Sequence, residues 1–261
     1  RVGIKIKREK FRNTQTAKAR LDENLQKNNP VGLQVGVYNL PYFPDEYRFH
    51  FNAHNMVVYG KKDGIYLISD PVMETVTSLT EKELEKVRFA KGAFAPKGHI
   101  YYPTSFPEQL QLEKAIIKGI KHTCRDMLAP VPVVGVKGIR KIAKLIRKWP
   151  KAKGIKIANH YLGQIVRMQE EIGTGGGGFR YIYAAFLQEA GKLLTNSQLL
   201  ELSNEMTLIG DQWRDFAVEA SRIYKNRSNT VAVDQYDHVA TLLEDIANKE
   251  EVFFKKLKKA I

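Results

Sequence analysis

Two patterns of hydrophobic and polar positions divide this chain. In the first part, short apolar runs alternate with turn residues, a pattern typical of strands in a half-buried sheet. Beyond residue 107, apolar residues recur at the three- and four-residue spacing of amphipathic helices, and no convincing strand is indicated. We therefore expect an α+β unit with a mainly antiparallel sheet over residues 1–104, followed by an all-α helical domain over residues 105–261.

The N-terminal unit is expected to carry strands and two helices. Apolar residues repeat every four positions and predict a helix over residues 14–28, with Thr14 or Thr16 as its N-cap. Thr80 followed by Glu83 is a capping-box pattern that opens a second, short helix. The predicted strands lie within residues 31–37, 49–60, 65–71 and 99–102, with a turn at residues 61–64 between the middle two.

The helical domain is expected to contain several consecutive helices. Each segment has apolar residues on one side and polar residues on the other, as in a helix that buries one face. The segments are residues 109–128, 138–148, 152–171, 179–193, 197–225 and 231–259.

A histidine and an aspartate occupy the middle two predicted strands. His54 precedes an apolar run on the first of them, and Asp70 ends the second. Neighbouring antiparallel strands can bring these side chains together, and an aspartate that accepts a hydrogen bond from imidazole fixes its tautomer and stabilises its protonated form. The pair supplies two of the three parts of a Cys-His-Asp or Ser-His-Asp system, without an obvious nucleophile.

Two more polar residues precede His54 at alternating positions. His50, Asn52 and His54 are expected to share one face of a strand, which makes Asn52 a candidate substrate-binding residue. Two histidines on one face can bind a metal ion together with a distant carboxylate. No other His or Cys has ligand spacing, so we predict neither a metal site nor a cofactor.

Composition bounds the class of protein. Hydrophobic residues make up 43% of the 261 residues, enough for a substantial core. No apolar run reaches the length of a transmembrane helix, and the start lacks the apolar stretch of a signal peptide. Cys124 is the only cysteine, which excludes an internal disulfide and a cysteine-rich metal site. A cytoplasmic location is therefore expected.

The net charge of +14 at pH 7 indicates an anionic partner or a highly soluble surface. Residues 131–156 contain nine Lys or Arg and no Asp or Glu, and they form a basic amphipathic helix. This helix can contact nucleic acid, a membrane surface or an acidic protein, or can be a solvated face of a helical bundle. The candidate partner-binding residues are Arg140, Lys141, Lys144 and Lys148.

A glycine-rich segment, residues 173–178, precedes a predicted helix. Its amides can face a phosphate at the helix N-terminus, although no Walker motif follows, and a flexible connection between helices is the favoured alternative. The candidate substrate-binding residues are Gly176, Gly177 and Arg180, with the Arg180 guanidinium as a fork-shaped donor to carboxylate or phosphate.

The order of these motifs resembles, over nearly the whole chain, proteins like the butirosin-biosynthesis protein H acyltransferase. Their N-terminal domain is similar to papain-like cysteine peptidases of the bacteriocin-leader-processing type, and a helical domain follows. In such domains a histidine opens an apolar strand and the next strand ends in Asp-Pro, which matches His54 and Asp70. The other matching pieces are residues 17–25, 30–31, 40–42, 54–60, 173–180 and 186–187, with Leu84, Arg88, Phe89 and Tyr183.

The resemblance implies cysteine-dependent acyl transfer, as an acyltransferase or a peptidase-like enzyme, with His54 as general base and Asp70 orienting it. In that family the nucleophilic cysteine opens a helix near the N-terminus. No such helix is expected before residue 14, so we expect the papain-like unit to be incomplete there and the nucleophile to lie upstream. Cys124 is the alternative: His122 and Arg125 can lower a thiol pKa, but a lone helical cysteine is usually a buried hydrophobe.

The resemblance also implies a partner. The acyltransferase takes its acyl group from an acyl carrier protein, and such carriers are acidic, which suits the basic helix; a peptide or amine is the expected substrate class otherwise. No helix-turn-helix, zinc finger or RNA-binding aromatic motif supports nucleic acid. The alternative function is a catalytically inactive binding module of the same fold that uses the basic helix to contact an acidic protein or nucleic acid.

Overall fold

The computed structural model describes residues 2–171, 174–225 and 233–261, which form two compact units, Val2–Leu110 and Gln111–Ile261. The first unit carries an antiparallel sheet and the second is helical, which confirms the expected α+β class. Within the described residues, no helix combines the length and the hydropathy required to cross a membrane.

The sheet of the first unit has six antiparallel strands in the order β1-β6-β2-β3-β4-β5. The sequence did not predict β1 or β5, because β1 is mostly exposed and polar and β5 has only four residues. The elements are β1 (Lys5–Glu9), α1 (Thr14–Gln26), β2 (Val31–Val35), β3 (His54–Lys62), β4 (Ile65–Ser69), β5 (Thr77–Thr80), α2 (Glu81–Arg88) and β6 (Ile100–Ser105).

Both helices of this unit begin at capping side chains. Asn13, rather than Thr14 or Thr16, caps α1: its Oδ1 accepts a hydrogen bond from the Thr16 amide at 3.0 Å. The capping box predicted for α2 is present, because the Thr80 hydroxyl accepts from the Glu83 amide while the Glu83 carboxylate accepts from the Thr80 amide. These caps fix where each helix leaves the sheet.

A tight hairpin joins β3 and β4. Asp63 and Gly64 both have positive φ, 49° and 79°, as a two-residue type I′ turn requires. The pairing places Val58 opposite Ile68, and both side chains are fully buried. Because a one-residue slip would turn these side chains out of the core, the hairpin register is strongly specified, and with it the positions of the residues at the far end. That end, where β3 begins and β4 finishes, carries the site.

A buried arginine ties α2 to the rest of the first unit. Arg88 is 3% exposed, and its Nη2 donates to the carbonyl oxygens of Ala17 and Gly98. Burial lowers the pKa of Arg88 to about 10, well below that of a solvated guanidinium. The side chain therefore connects α1, α2 and the loop before β6 by hydrogen bonds.

The second unit has six α-helices among its described residues, and each overlaps one of the predicted segments. The segment over residues 231–259 begins at residues 231–232, which lie outside the described residues. The core is built from side chains of all six helices, among them Ile120, Ile146, Leu162, Leu187, Phe216 and Phe253. The helices are α3 (Leu112–Met127), α4 (Gly135–Lys153), α5 (Ile155–Glu170), α6 (Arg180–Leu193), α7 (Ser197–Lys225) and α8 (Val233–Lys259).

Candidate functional site

His54 and Asp70 meet at the end of the β3–β4 hairpin. His54 is the first residue of β3, and Asp70 directly follows β4. The imidazole Nε2 lies 2.7 Å from the carboxylate Oδ2, which confirms the predicted contact. The Asp70 side chain is fully buried, whereas the His54 side chain is 11% exposed. The structure thus gives the histidine limited access from outside while enclosing its partner.

Asp70 is held as a carboxylate by three donors. Besides the imidazole, the Tyr42 hydroxyl donates to Oδ2 at 2.8 Å and the Val72 amide donates to Oδ1 at 3.0 Å. Burial by itself raises the pKa of Asp70, but the hydrogen bond and charge of His54, with the other two donors, outweigh burial and lower this pKa. The carboxylate is therefore an acceptor for His54 at neutral pH.

The orientation of the imidazole follows from this acceptor. A carboxylate only accepts, so the Nε2 of His54 carries a proton and donates it to Asp70. In neutral His54 this leaves Nδ1 with the lone pair and therefore as the basic atom. The ring of Phe43 packs edge-on against the imidazole, with centroids 5.4 Å apart, and restricts its rotation. The site thus presents one oriented basic nitrogen.

Sequence reasoning assigned no role to Tyr42 or Phe43, although both shape the site. Tyr42 and Phe43 lie in a loop between Pro41 and Pro44. Two aromatic residues between two rigid prolines were the feature of the sequence that could have indicated a fixed position for these rings. Burial, followed by the negative charge of Asp70, raises the pKa of Tyr42 far above its usual value, so the phenol stays protonated and donates. Tyr42 and Phe43 thereby fix the acid and the base respectively.

His50 and Asn52 do not share a strand face with His54, because β3 begins only at His54 and residues 51–53 are not in a strand. The His50 ring stacks on Tyr38 instead, with centroids 4.2 Å apart. Asn52 is 7% exposed, and its Nδ2 donates to the carbonyl oxygens of Lys91 and Ala93. Both amide hydrogens therefore bind the loop after α2, and a substrate contact by Asn52 stays a prediction.

Two amides of the glycine-rich segment are occupied within the helical unit. The Gly176 amide donates to the Thr174 hydroxyl at 3.2 Å, and the Gly177 amide donates to the Glu170 carboxylate at 3.0 Å. Gly173, the first predicted residue of the segment, lies outside the described residues. An anionic substrate at Gly177 would have to replace a carboxylate that is already bound there, so the predicted substrate contacts of Gly176 and Gly177 remain untested.

Arg180 is also paired inside the helical unit. Its Nε and Nη2 donate to the two carboxylate oxygens of Glu250, at 2.8 and 2.9 Å, and the Glu250 side chain is fully buried. Trp213 donates its indole hydrogen to the same carboxylate at 2.7 Å, while the guanidinium lies 4.7 Å from the centre of the Trp213 ring. A substrate contact by Arg180, still a prediction, would have to compete with this bidentate pair.

On the basic helix α4, two arginines bind another helix, whereas the three predicted contact lysines are exposed. Arg140 donates to Asn248 at 2.8 Å, and Arg147 donates to Glu244 at 2.8 Å, so both arginines bind α8. The other three predicted contact residues, Lys141, Lys144 and Lys148, are exposed. Partner binding by this helix stays a prediction, and among the four predicted contact residues these three lysines are the ones with exposed side chains.

The remaining candidates for chemistry are the thiol of Cys124 and groups of side chains that could bind a metal ion. Cys124 lies on α3 within the core of the helical unit and is fully buried, as predicted. Burial raises the pKa of this thiol to about 11, which leaves it protonated and unreactive at neutral pH. Among the described residues, no three His, Cys, Asp or Glu side chains are grouped so that they could hold a metal ion.

Comparison with known protein families gives two matches. Residues 1–71, which include His54 and Asp70, match the family described as butirosin biosynthesis protein H, N-terminal. Residues 82–257 match a domain of unknown function, DUF4872, which covers α2, β6 and most of the helical unit. No curated protein sequence matches the chain significantly.

Proposed function

Because this chain belongs to the butirosin biosynthesis protein H-like family, with a DUF4872 domain as its larger part, we propose that it carries the base and the orienting acid of a cysteine-dependent acyl-transfer enzyme. The observation that carries the proposal is the contact of 2.7 Å between His54 and the buried carboxylate of Asp70. The nucleophile is a cysteine supplied from a segment upstream of residue 1, and the unit adopts a papain-like arrangement.

The proposed reaction begins with proton transfer. Nδ1 of His54 takes the proton from the cysteine thiol, and the resulting thiolate attacks the carbonyl carbon of a thioester or amide. The leaving thiol or amine receives that proton, and an acyl-enzyme remains. An amine acceptor, or water in a peptidase, then loses a proton to His54 and attacks the acyl-enzyme, which releases the product and the cysteine.

Asp70 acts on this reaction through His54. Its carboxylate accepts the Nε2 hydrogen, so it keeps Nδ1 unprotonated in the neutral imidazole and stabilises the imidazolium that forms after proton transfer. The hydrogen bonds from Tyr42 and Val72 keep Asp70 charged and fixed in position. Tyr42 and Asp70 are therefore positioning residues, while His54 is the residue that exchanges protons with substrate.

The test uses the chain extended by its natural upstream sequence. The extended protein is incubated with a hexanoyl thioester of N-acetylcysteamine, and mass spectrometry records an acyl adduct that hydroxylamine removes. We expect the wild-type protein and Cys124→Ser to form the adduct, and His54→Ala to form it far more slowly. An adduct located on Cys124, or one that forms equally fast without His54, would refute the proposal.

A second candidate function rests on three of the exposed lysines of α4. In this function the chain is a binding module, and Lys141, Lys144 and Lys148 contact an acidic protein, for which an acyl carrier protein is the preferred class and nucleic acid the alternative. Titration with a holo carrier protein and with random-sequence DNA separates the classes. Lys144→Glu with Lys148→Glu should slow association with the carrier at low salt, whereas tight DNA binding without carrier binding would favour nucleic acid.

A further inference from the structure

The helical unit contains a cavity of about 630 Å³. Its lining includes no residue of the His54–Asp70 site. This volume lies within the range of small-molecule sites in proteins. The cavity is an open cleft lined mainly by α4 and α5, with single residues of α6, α7 and α8 and with Val133 and Gly178 from the adjoining loops. Its walls are mainly aliphatic, and the apolar members include Ile139, Ile142, Leu145, Ile165, Met168 and Leu243.

The cavity extends from solvent into the core of the unit. Met168 is 48% exposed at its rim, whereas Trp213 and Leu243 at its floor are 8% and 1% exposed. The lining positions on α4 run from Gly135 to Leu145, a length of roughly 15 Å at 1.5 Å per residue. A cleft of that length with an apolar lining suits a flexible aliphatic chain, because each methylene that it covers removes apolar surface from water.

The charges around the cavity are positive. Lys141 and Arg180 line it, and no carboxylate of the described residues does. Arg180 is neutralised by its bidentate pair with the buried Glu250. Lys141 is exposed and makes no ion pair within the described part of the chain. One uncompensated cation beside an apolar cleft is complementary to a ligand that joins an aliphatic chain to an anionic head.

We propose that this cavity binds an anionic aliphatic amphiphile, a medium-chain carboxylate or its acyl derivative, with the chain between α4 and α5 and the head at Lys141. Hydrogen bonds hold part of the floor in place. The Gln169 amide donates to the Trp213 carbonyl oxygen at 2.8 Å, and the Trp213 indole is bound to Glu250. The Gln169 Nε2 and the Trp213 indole nitrogen are therefore satisfied, whereas the buried Oε1 of Gln169 has no hydrogen-bond partner among the described residues. The Trp213 ring contributes apolar surface to the cavity.

Decanoate is the test ligand, and Trp213 is the built-in reporter. The chain has two tryptophans, and only Trp213 lines the cavity. We expect decanoate to change the tryptophan fluorescence saturably with one site per chain by calorimetry. Decan-1-ol, which lacks the charge, and hexanoate, which has a shorter chain, should each bind at least roughly tenfold more weakly.

Variants separate the cavity from the rest of the chain. Lys141→Gln should weaken decanoate binding by roughly tenfold without changing decan-1-ol binding, since one charge-assisted contact is lost. Lys148→Gln is the matched control, because Lys148 is exposed on the same helix but does not line the cavity, and it should bind as wild type. Met168→Asp places a carboxylate at the exposed rim and should abolish binding while retaining the helical circular dichroism spectrum.

Several results would overturn the proposal. They are decanoate uptake that does not saturate, equal affinity in Met168→Asp, equal affinity for decan-1-ol, or a dimer in sedimentation that buries the cavity and excludes decanoate. The proposal does not depend on acyl transfer, so His54→Ala should bind decanoate as wild type. Failure of catalysis with retained decanoate binding would therefore refute only the proposed function.

Discussion

The two units each bury one carboxylate completely, and the two carboxylates differ in the base that they bind. In the first unit Asp70 accepts from His54, and in the helical unit Glu250 accepts from both sides of the Arg180 fork. Each acid has a further aromatic donor, Tyr42 in one case and Trp213 in the other. The surroundings of the two carboxylates are similar, so the difference in chemistry must come from the groups that they bind, the imidazole of His54 and the guanidinium of Arg180.

That difference lies in the lone pair. A guanidinium keeps its charge and has no acceptor, so the Arg180–Glu250 pair can stabilise the fold but cannot exchange protons with a substrate. An imidazole that donates to a carboxylate through one nitrogen still offers a lone pair on the other. The comparison indicates that a buried acid suggests catalysis when its partner can lose a proton, and architecture when its partner cannot.

The largest expected effect is on reaction rate, from Asp70→Asn. The amide can donate as well as accept, so it no longer enforces the proton on Nε2 and does not stabilise the imidazolium. In the extended protein we expect the rate of acyl-enzyme formation to fall on the order of 10⁴-fold, measured by mass spectrometry with the hexanoyl thioester. Asp45→Asn is the control, because the Asp45 side chain is 92% exposed in the same unit, and it should react as wild type. If Asp70→Asn reacts at a rate close to wild type, the His54–Asp70 pair has only a structural role, like the Arg180–Glu250 pair.

The next effect is on stability, from Arg180→Ala. Removing one partner of a buried ion pair leaves Glu250 uncompensated, so we expect the free energy of unfolding of the helical unit to fall by about 3–5 kcal/mol. Urea unfolding followed by tryptophan fluorescence measures this unit alone, because Trp149 and Trp213 both lie in it. Arg214→Ala is the matched control: its side chain is 62% exposed, and we expect a change of no more than about 0.5 kcal/mol. A loss as small as in the control would show that the pair does not stabilise the fold.

The third expected effect is on the pH dependence of the stability of the first unit. The pKa of Asp70 is lower in the folded state than in an unfolded chain, so its contribution to stability is complete above the unfolded pKa, near 3.9, and is lost as the pH falls through the folded value. Hydrogen exchange of the first unit should therefore show the stability difference between wild type and Asp70→Asn shrinking as the pH falls below about 4. A difference that stays constant down to pH 2 would contradict the lowered pKa.

Sequence reasoning located the first pair but not the second, for a physical reason. His54 and Asp70 are joined by a short hairpin, so the strand pattern and the predicted turn at residues 61–64 were sufficient to place them on neighbouring strands. The structure narrows that turn to Asp63-Gly64, and the shift in pairing between Val58 and Gly60 was not predicted. Arg180 was singled out as an anion contact, but its partner Glu250 lies between Lys249 and Glu251 in a segment that is charged like a solvated surface. Nothing local distinguishes a buried glutamate in such a segment, and only packing of the helices brings it to Arg180.

Short strands and loops were also hard to predict, because their structure depends on contacts with residues distant in the sequence. The periodicity of the long helices was sufficient to find all six of them, because each repeats its pattern over several turns. In contrast, β5 has four residues, and it is a strand because β4 provides its hydrogen-bonding partner. The predicted strand over residues 49–60 was too long for a related reason: Asn52 binds the loop after α2 through its side chain, and the ladder starts only at His54.

The smallest expected effect, and the finest test of the comparison, comes from Tyr42→Phe. The substitution keeps the ring beside Phe43 and removes only the hydroxyl that donates to Asp70, so the carboxylate retains His54 and Val72 as donors. We expect the first unit to lose about 1.5 kcal/mol of stability by hydrogen exchange, and the pKa of Asp70 to rise because one of the groups that lowers it is gone. If Tyr42 positions the acid for catalysis, acyl-enzyme formation should also slow at saturating thioester, and its pH profile should shift. A loss of stability with an unchanged rate and pH profile would instead assign Tyr42 to the fold alone, in the same role that Trp213 has beside Glu250.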